Sequence, residues 1–168
     1  MNKAEFFKTL DSKLGQTVEA EQKSDVAKRT MRERFNELID TDFERVVRSY
    51  ERELEARRFK VEVESSAGEI KALKIRLHYV DGGISEATFM WSDDKGGGAR
   101  VFRIHTNDDG RKFSTDAGIP GFQTPGSAYA AHLGVPNVYT EGWLEELLQT
   151  VIEEHRFYAD RHGGIRVF

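Results

Sequence analysis

The stretch LKIRLHYVDGGISEATFMW, residues 73–91, decides the fold class. Apolar and polar side chains alternate along both of its halves, which is typical of β-strands with one buried face. Asp81-Gly82-Gly83 separates the halves and is typical of a turn. The stretch therefore predicts an antiparallel hairpin, and the following pairs are expected on its core face: Leu77 with Ala87, Ile75 with Phe89, and Leu73 with Trp91.

Further strands are expected on both sides of this hairpin. Residues 59–63 alternate in the same way before it, residues 99–106 follow it, and a short strand is predicted around Phe113. Strands that lie together between runs of helices favour an α+β fold with an antiparallel meander over a parallel α/β sheet. We therefore expect a sheet of about five strands within residues 59–115.

The first 58 residues are predicted to form two helices. In residues 2–14 the apolar side chains recur at spacings of three and four, and Gly15 is typical of a helix end. A polar connector, residues 16–23, leads to a longer helix whose apolar stripe extends from Met31 to Leu54. Thr41 and Glu44 have the spacing of a capping box, so this second helix either breaks at Asp40-Thr41 or continues straight or gently bent, and the continuous helix is the preferred alternative.

The remainder of the chain is predicted to contain a long loop and a final helix. Residues 116–140 hold all three prolines and are expected to form a loop with a short helix at residues 127–134. The C-terminal part, residues 141–168, is expected to form an amphipathic helix packed on the sheet and a tail with an edge strand at residues 165–168. One domain, residues 1–168, would then consist of segments 1–58, 59–115, 116–140 and 141–168. The predicted core comprises Leu73, Ile75, Leu77, Phe89, Trp91, Phe102, Leu144, Leu148, Val151 and Ile152.

The composition excludes several classes of protein. The chain has no cysteine, which excludes disulfides and thiolate zinc sites. No apolar run has the length of a secretory signal or a membrane span, so we expect a cytoplasmic protein with no membrane contact. The formal net charge of −4 provides no general attraction to nucleic acid.

Protein binding is the leading functional hypothesis, because no motif has the residue types and spacing that would name a reaction or a cofactor. We therefore expect a non-enzymatic regulatory or accessory protein that binds another protein or a second copy of itself. Aromatic anchors on a proline-stiffened loop are typical of a recognition surface. A helix over residues 25–58 would be about 50 Å long and would overhang a domain of this size. The expected contact residues are Phe122, Tyr129 and Tyr139 on the loop, and Met31, Phe35 and Leu38 on the helix.

A nucleic-acid-binding surface is the first alternative. It would require a local cluster of basic side chains, which neutralise phosphates. Glu44 lies at a helical spacing from Arg48, and Glu55 lies at one from Arg52, so ordinary surface ion pairs are the simpler interpretation. The candidate residues are Arg34, Arg45, Arg48 and Arg52 on the long helix, with Lys74, Arg76 and Arg103 on the outer face of the sheet.

A metal-dependent enzyme is the second alternative. The predicted hairpin register places His78 opposite Glu86, and a fourth strand that pairs Phe102 with Phe89 places His105 beside Glu86. Two histidines and one carboxylate form a ligand set that is used for iron and for zinc. A cross-strand His–Glu pair on a solvated sheet face needs no metal and is the simpler interpretation.

Overall fold

The chain was analysed as a computed structural model, which describes residues 2–68, 71–80, 82–93, 97–123 and 138–161, and only the backbone of residues 141 and 154–161. Within these residues the helical elements are α1 (Lys3–Leu38), a π-helical turn (Ile39–Phe43, the π-turn), α2 (Glu44–Glu55) and α3 (Glu141–Arg161). The strands are β1 (Lys60–Ser66), β2 (Ala72–His78), β3 (Ile84–Ser92), β4 (Gly98–Thr106) and β5 (Lys112–Gln123).

The five strands form one antiparallel sheet in the order β1-β2-β3-β4-β5. Every strand pairs with its neighbour in the sequence, so the sheet is a simple meander. The buried side chains of the strands belong to one face and join those of the helices in a single core cluster. The α+β fold that the sequence predicts is therefore confirmed.

The central hairpin has a different register from the predicted one. Leu77 pairs with Ser85, Ile75 with Ala87 and Leu73 with Phe89. β2 ends at His78 and β3 begins at Ile84, and the Tyr79 N–H donates to the Gly83 carbonyl at 2.9 Å, so the chain reverses one residue earlier than the sequence predicts. A shift of two residues keeps every side chain on its face, since the strand period is two. The predicted core face of this hairpin is therefore correct although its pairs are not.

The register of β4 differs by one residue, which reverses its faces. Phe89 pairs with Val101 instead of Phe102, so Phe102 lies on the outer face and Val101 is buried. Both faces of β4 carry apolar side chains, because Phe102 and Ile104 alternate with Val101. Alternation alone therefore could not fix this register. The observed register sets small residues against large ones, with Ala99 opposite Trp91.

The predicted connector at residues 16–23 is helical. Helix α1 therefore continues through it and has a total length of 36 residues. Glycine inside a helix costs only about 1 kcal/mol relative to alanine, and the glutamates and lysine that follow Gly15 are good helix formers. The division between the two N-terminal helices lies at the π-turn instead.

The π-turn arises from the spacing of the buried side chains. Phe35, Ile39, Phe43 and Val47 are all buried and follow each other at intervals of four. In a regular α-helix, each interval of four residues turns the side chain by about 40° away from the previous one. The wider π-turn reduces this rotation and keeps all four on the sheet. The predicted capping box is wrong, because the Thr41 hydroxyl donates back to the Glu37 carbonyl within a continuous helix.

The core agrees with the prediction except at Phe102. The other predicted members on the sheet are buried, as are Leu144, Leu148 and Val151 of α3, while Ile152 is half-buried against the cluster. Helices α1 and α2 add the four side chains around the π-turn, together with Leu54. The helices and the sheet therefore bury a common core.

The segment predicted as a long loop begins inside β5, which reaches Gln123. Pro120 is tolerated there because the pairing with β4 is irregular between Gly98 and Arg100, where no ladder donor is required. Gly121 has a positive φ of 79°, and a Cβ at this position would lie 2.8 Å from the Tyr139 backbone nitrogen. The short helix at residues 127–134 and the tail at residues 165–168 lie outside the described residues.

Candidate functional site

The first part of α1 projects from the domain. Residues 2–27 are all exposed, and Met31 is the first side chain of α1 that packs against the core. Residues 3–27, which we call the projecting arm, are about 37 Å long at 1.5 Å per residue. The arm therefore extends well beyond the sheet that the rest of α1 covers.

Large apolar side chains are exposed along one side of the projecting arm. Phe6 is 53%, Leu14 55% and Val18 51% accessible, and Phe7 and Leu10 are exposed as well. The rings of Phe6 and Phe7 contact each other edge to face, with centroids 5.3 Å apart. Contiguous apolar surface of this kind is uncommon on a monomer and marks an interaction site. The sequence predicts a helical face for the apolar residues up to Leu14, whereas Val18 lies in the stretch that is predicted as a connector.

The beginning of the arm is held by local hydrogen bonds. The Glu5 N–H donates to Asn2 Oδ1 at 2.9 Å, and the Asn2 N–H donates to the Glu5 carboxylate at 3.2 Å. This reciprocal capping satisfies two backbone donors that a helix start otherwise leaves without partners. It defines where the helix begins but contributes no contact with the domain.

The predicted contact residues on the long helix are correctly assigned to α1 but not to its surface. Phe35 is fully buried, and Met31 and Leu38 are half-buried against the same core. The ring of Phe35 contacts Phe43 and Phe122 edge to face. Phe35 therefore stabilises the chain's own fold and is unavailable to a partner. The apolar residues of α1 that remain exposed lie further toward the N-terminus.

The predicted aromatic anchors of the loop also belong to the core. Phe122 lies on β5, is only 5% exposed and packs against Phe35. Tyr139 is half-buried and contacts Phe43, Phe122 and Trp143. Tyr129 lies outside the described residues. Phe122 and Tyr139 therefore connect β5 to the helices, and the prediction that they form an exposed recognition surface is wrong.

The predicted row of metal ligands is not formed. His78 and Glu86 lie on the outer face, but His105 is 1% exposed on the opposite, helix-covered face, because β4 is shifted by one residue. Glu86 pairs with Arg76 across the hairpin. Among the described residues, no group of three or more histidines and carboxylates is placed to hold a metal ion.

His105 belongs instead to a buried polar network that the sequence did not indicate. Its Nε2 donates to Asn107 Oδ1 at 3.0 Å, so its Nδ1 accepts from the Ser85 hydroxyl at 2.8 Å. The Tyr79 hydroxyl lies 3.1 Å from Ser85 Oγ and 3.0 Å from the Ile152 carbonyl of α3. Ser85 and His105 form a serine–histidine pair, which in other settings can activate a nucleophile. Both are almost completely buried, so the pair ties β3 to β4, and the Tyr79 hydroxyl connects it to α3.

The candidate arginines of the helices do not form a phosphate-binding cluster. Arg45 lies 3.7 Å from Asp42, and Arg48 lies 2.9 Å from Glu51. The Arg34 guanidinium packs over the Phe122 ring, 5.9 Å from its centroid. Arg52 is exposed on α2. The positive charges are therefore largely compensated within the helix surface.

The candidate basic residues of the sheet are divided between its faces. Lys74 and Arg76 lie on the outer face as predicted, but Arg103 lies on the helix-covered face, where its Nε donates to Thr115 Oγ1 at 3.0 Å. Arg76 lies 3.0 Å from Glu62 and 2.6 Å from Glu86. The hydrogen bonds from Arg76 and then from His78 hold the pKa of Glu62 below its ordinary value.

A cleft of about 300 Å³ lies where the arm leaves the sheet. Trp91 lines the cleft, and its indole N–H donates to Asp93 Oδ1 at 3.0 Å. The sequence does not indicate this cleft, because its basic residues on α1 match no recognisable motif. The side chains that line the cleft are Asp25, Val26, Lys28, Arg29, Arg32, Trp91 and Asp93.

Comparison with known proteins adds no function to this geometry. No protein-family model, no curated protein and no solved structure matches the chain. In the part of the chain that the structure describes, none of the helices combines the length and the apolar character needed to cross a bilayer. The exposed apolar side of the projecting arm is the feature of the described residues that the fold itself does not explain.

Proposed function

We propose that this chain is a non-enzymatic protein-interaction module, a regulatory or accessory protein whose binding element is the projecting arm. The observation that carries the proposal is the exposure of Phe6, Phe7, Leu10, Leu14 and Val18 on one side of the arm. The sequence-based prediction of a cytoplasmic location belongs to this proposal.

The physics of isolated helices supports a role for the arm in binding. Most helices in proteins gain their stability from packing an amphipathic face, and helical propensity alone is a weak driving force in water. The arm contains Gly15, and a Cβ added there would meet nothing within 4 Å. A surface that covers the apolar side would provide the stabilisation that the arm lacks in the single chain.

The arm is also separable from the core of its own domain. Among the residues that the structure describes, nineteen buried apolar residues extend from Phe35 to Val151, and none of them belongs to residues 3–27. Removal of the apolar side chains of the arm therefore leaves the core unchanged. This separation makes a clean test of the proposal available.

The test compares the full chain with a Phe7→Ser/Leu10→Ser/Leu14→Ser variant. Both are cross-linked in the cells that produce them, and the captured proteins, including further copies of the chain, are identified by mass spectrometry. We expect the triple variant to lose the captured proteins, because the apolar contact area is removed. The thermal unfolding transition of the domain should remain at the same temperature.

The matched control carries Thr9→Ser/Ser12→Asn/Gln16→Ser on the opposite side of the arm, where all three residues are exposed. We expect this control to capture the same proteins as the unchanged chain. If the triple serine variant also retains every captured protein, the arm is not the binding element and the proposal is wrong.

A further inference from the structure

The apolar side of the projecting arm continues a heptad pattern. Lys3, Phe7, Leu10, Leu14, Thr17 and Glu21 follow one another at alternating intervals of four and three. This spacing places the six residues on one line along the helix, and it is the spacing of the seam of a coiled coil. Phe6 and Val18 lie on either side of the line and widen its apolar part. The arm therefore presents a seam for a second helix.

The charges at the two ends of the seam determine which direction of pairing is favourable. Lys3 closes the seam at one end and Glu21 at the other, with the apolar residues between them. Parallel pairing of two identical arms would place Lys3 against Lys3 and Glu21 against Glu21, which is repulsive. Antiparallel pairing places each Lys3 against the Glu21 of the other copy. The seam is thus complementary to itself when it is reversed.

The apolar residues fit the same antiparallel alignment. With Lys3 opposite Glu21, Phe7 lies opposite Thr17 and Leu10 lies opposite Leu14, and each pair occurs twice about a two-fold axis. Such an isologous arrangement is the commonest symmetry of homodimers. Near the centre of the seam, Lys13 of one arm lies beside Lys13 of the other arm. Both ammonium groups remain in solvent, where salt screens their repulsion.

We propose that the projecting arm binds the same arm of a second copy of this chain as an antiparallel two-helix coiled coil. This inference rests on the proposed function and names its partner. The seam residues Phe7, Leu10 and Leu14 provide the apolar contact. Lys3 and Glu21 select the antiparallel direction, because charge pairs contribute more to the choice of partner and orientation than to affinity.

A charge-reversal series on the full chain tests the pairing. Sedimentation equilibrium should give a dimer whose dissociation constant rises roughly tenfold in Lys3→Glu, because two opposite-charge pairs become like-charge pairs. The double variant Lys3→Glu/Glu21→Lys should recover the original dissociation constant. Lys8→Glu, which makes the same change of net charge on the opposite side of the arm, should leave it unchanged.

The direction of pairing is measured with spin labels, since the chain contains no cysteine of its own. A label at Lys23→Cys should lie about 33 Å along the dimer axis from its copy when the arms are antiparallel. In a parallel dimer the two labels would lie side by side. The proposal is overturned if the two labels lie side by side, or if the dissociation constant is the same in all of the charge-reversal variants.

The outcomes separate this inference from the proposed function. A chain that is monomeric at all concentrations but captures another protein through Phe7, Leu10 and Leu14 overturns the pairing and retains the proposed function. A dimer that survives Phe7→Ser/Leu10→Ser/Leu14→Ser uses another surface, which overturns the pairing. If that variant also captures every protein that the unchanged chain captures, the proposed function is overturned as well.

Discussion

Ser85 and His105 join β3 to β4 inside the core, next to the Tyr79 hydroxyl that bonds to α3. The Ser85 hydroxyl donates to His105 Nδ1, and both side chains are at most 1% exposed. Loss of one member leaves a buried polar atom without its partner, which costs more than the net gain of an ordinary hydrogen bond. This pair therefore constrains the identity of both residues.

We expect Ser85→Ala to reduce the free energy of unfolding by about 1–3 kcal/mol, because His105 Nδ1 loses its donor. The measurement is a urea titration followed by tryptophan fluorescence. Ser114→Ala, which removes an exposed hydroxyl from β5, should change the free energy by less than about 0.5 kcal/mol. Equal unfolding midpoints for the two variants would contradict a buried hydrogen bond at Ser85.

Arg76 and Glu62 provide a pH-dependent contact on the outer face. Hydrogen bonds from Arg76 and then His78 lower the pKa of Glu62 from its ordinary value of 4.5. Because the folded-state pKa is the lower one, this contact stabilises the domain above pH 4.5, and the contribution is lost as the pH falls through the folded-state pKa.

We expect Arg76→Met to raise the pKa of Glu62 toward 4.5, because the largest cause of its lowering is removed. Carboxyl-carbon NMR titration measures this value for Glu62 directly. Arg111→Met removes an exposed arginine that pairs with Asp109 and should leave the Glu62 titration unchanged. An unchanged Glu62 titration in Arg76→Met would show that the contact is absent in solution.

At the scale of elements, the projecting arm depends on its own helical propensity more than α2 or α3 does. Gly15 weakens it, because glycine in a helix interior costs about 1 kcal/mol relative to alanine. We expect Gly15→Ala to slow amide hydrogen exchange along the arm about fivefold, since the new methyl group meets nothing within 4 Å.

Gly142→Ala is the matched control for this prediction, because Gly142 lies in α3 and its added Cβ also has open space. It should leave the exchange of the arm amides unchanged. If Gly15→Ala slows exchange no more than the control does, a contact stabilises the arm helix and its helical propensity does not limit the exchange.

The sequence predicted the helices and strands more accurately than it predicted which residues pair and pack against each other. Alternation in β2 and β3 identified the core face, since a slip by a single residue would have turned the side chain of either Ile75 or Phe89 outward. It failed in β4, because Phe102 and Val101 are both apolar and only packing beneath the helices selects between them. The interaction surface was assigned to Phe35 for a related reason: periodicity identifies an apolar stripe but does not reveal which part of it the sheet covers.

At the scale of the whole molecule, arm pairing would hold two domains apart. The two-fold axis of the proposed dimer passes near residue 12, and Met31 begins the core contact 19 residues further along. At about 1.5 Å per residue, the two Met31 positions lie roughly 57 Å apart. We therefore expect small-angle X-ray scattering to show two separated lobes, while Phe7→Ser/Leu10→Ser/Leu14→Ser shows one. A compact dimer with touching domains would contradict this geometry.

The π-turn gives this assembly a property that neither the seam nor the core specifies. Each residue of an α-helix advances the chain by about 100° around its axis, so the extra residue that Ile39–Phe43 accommodates sets the azimuth of the arm relative to the sheet. Deletion of one residue there would leave the seam intact and rotate it by about that angle. Two such rotations, one from each copy, would add across the dimer. In the proposed dimer, the torsion between the two sheets would therefore be set by five residues that lie outside the seam.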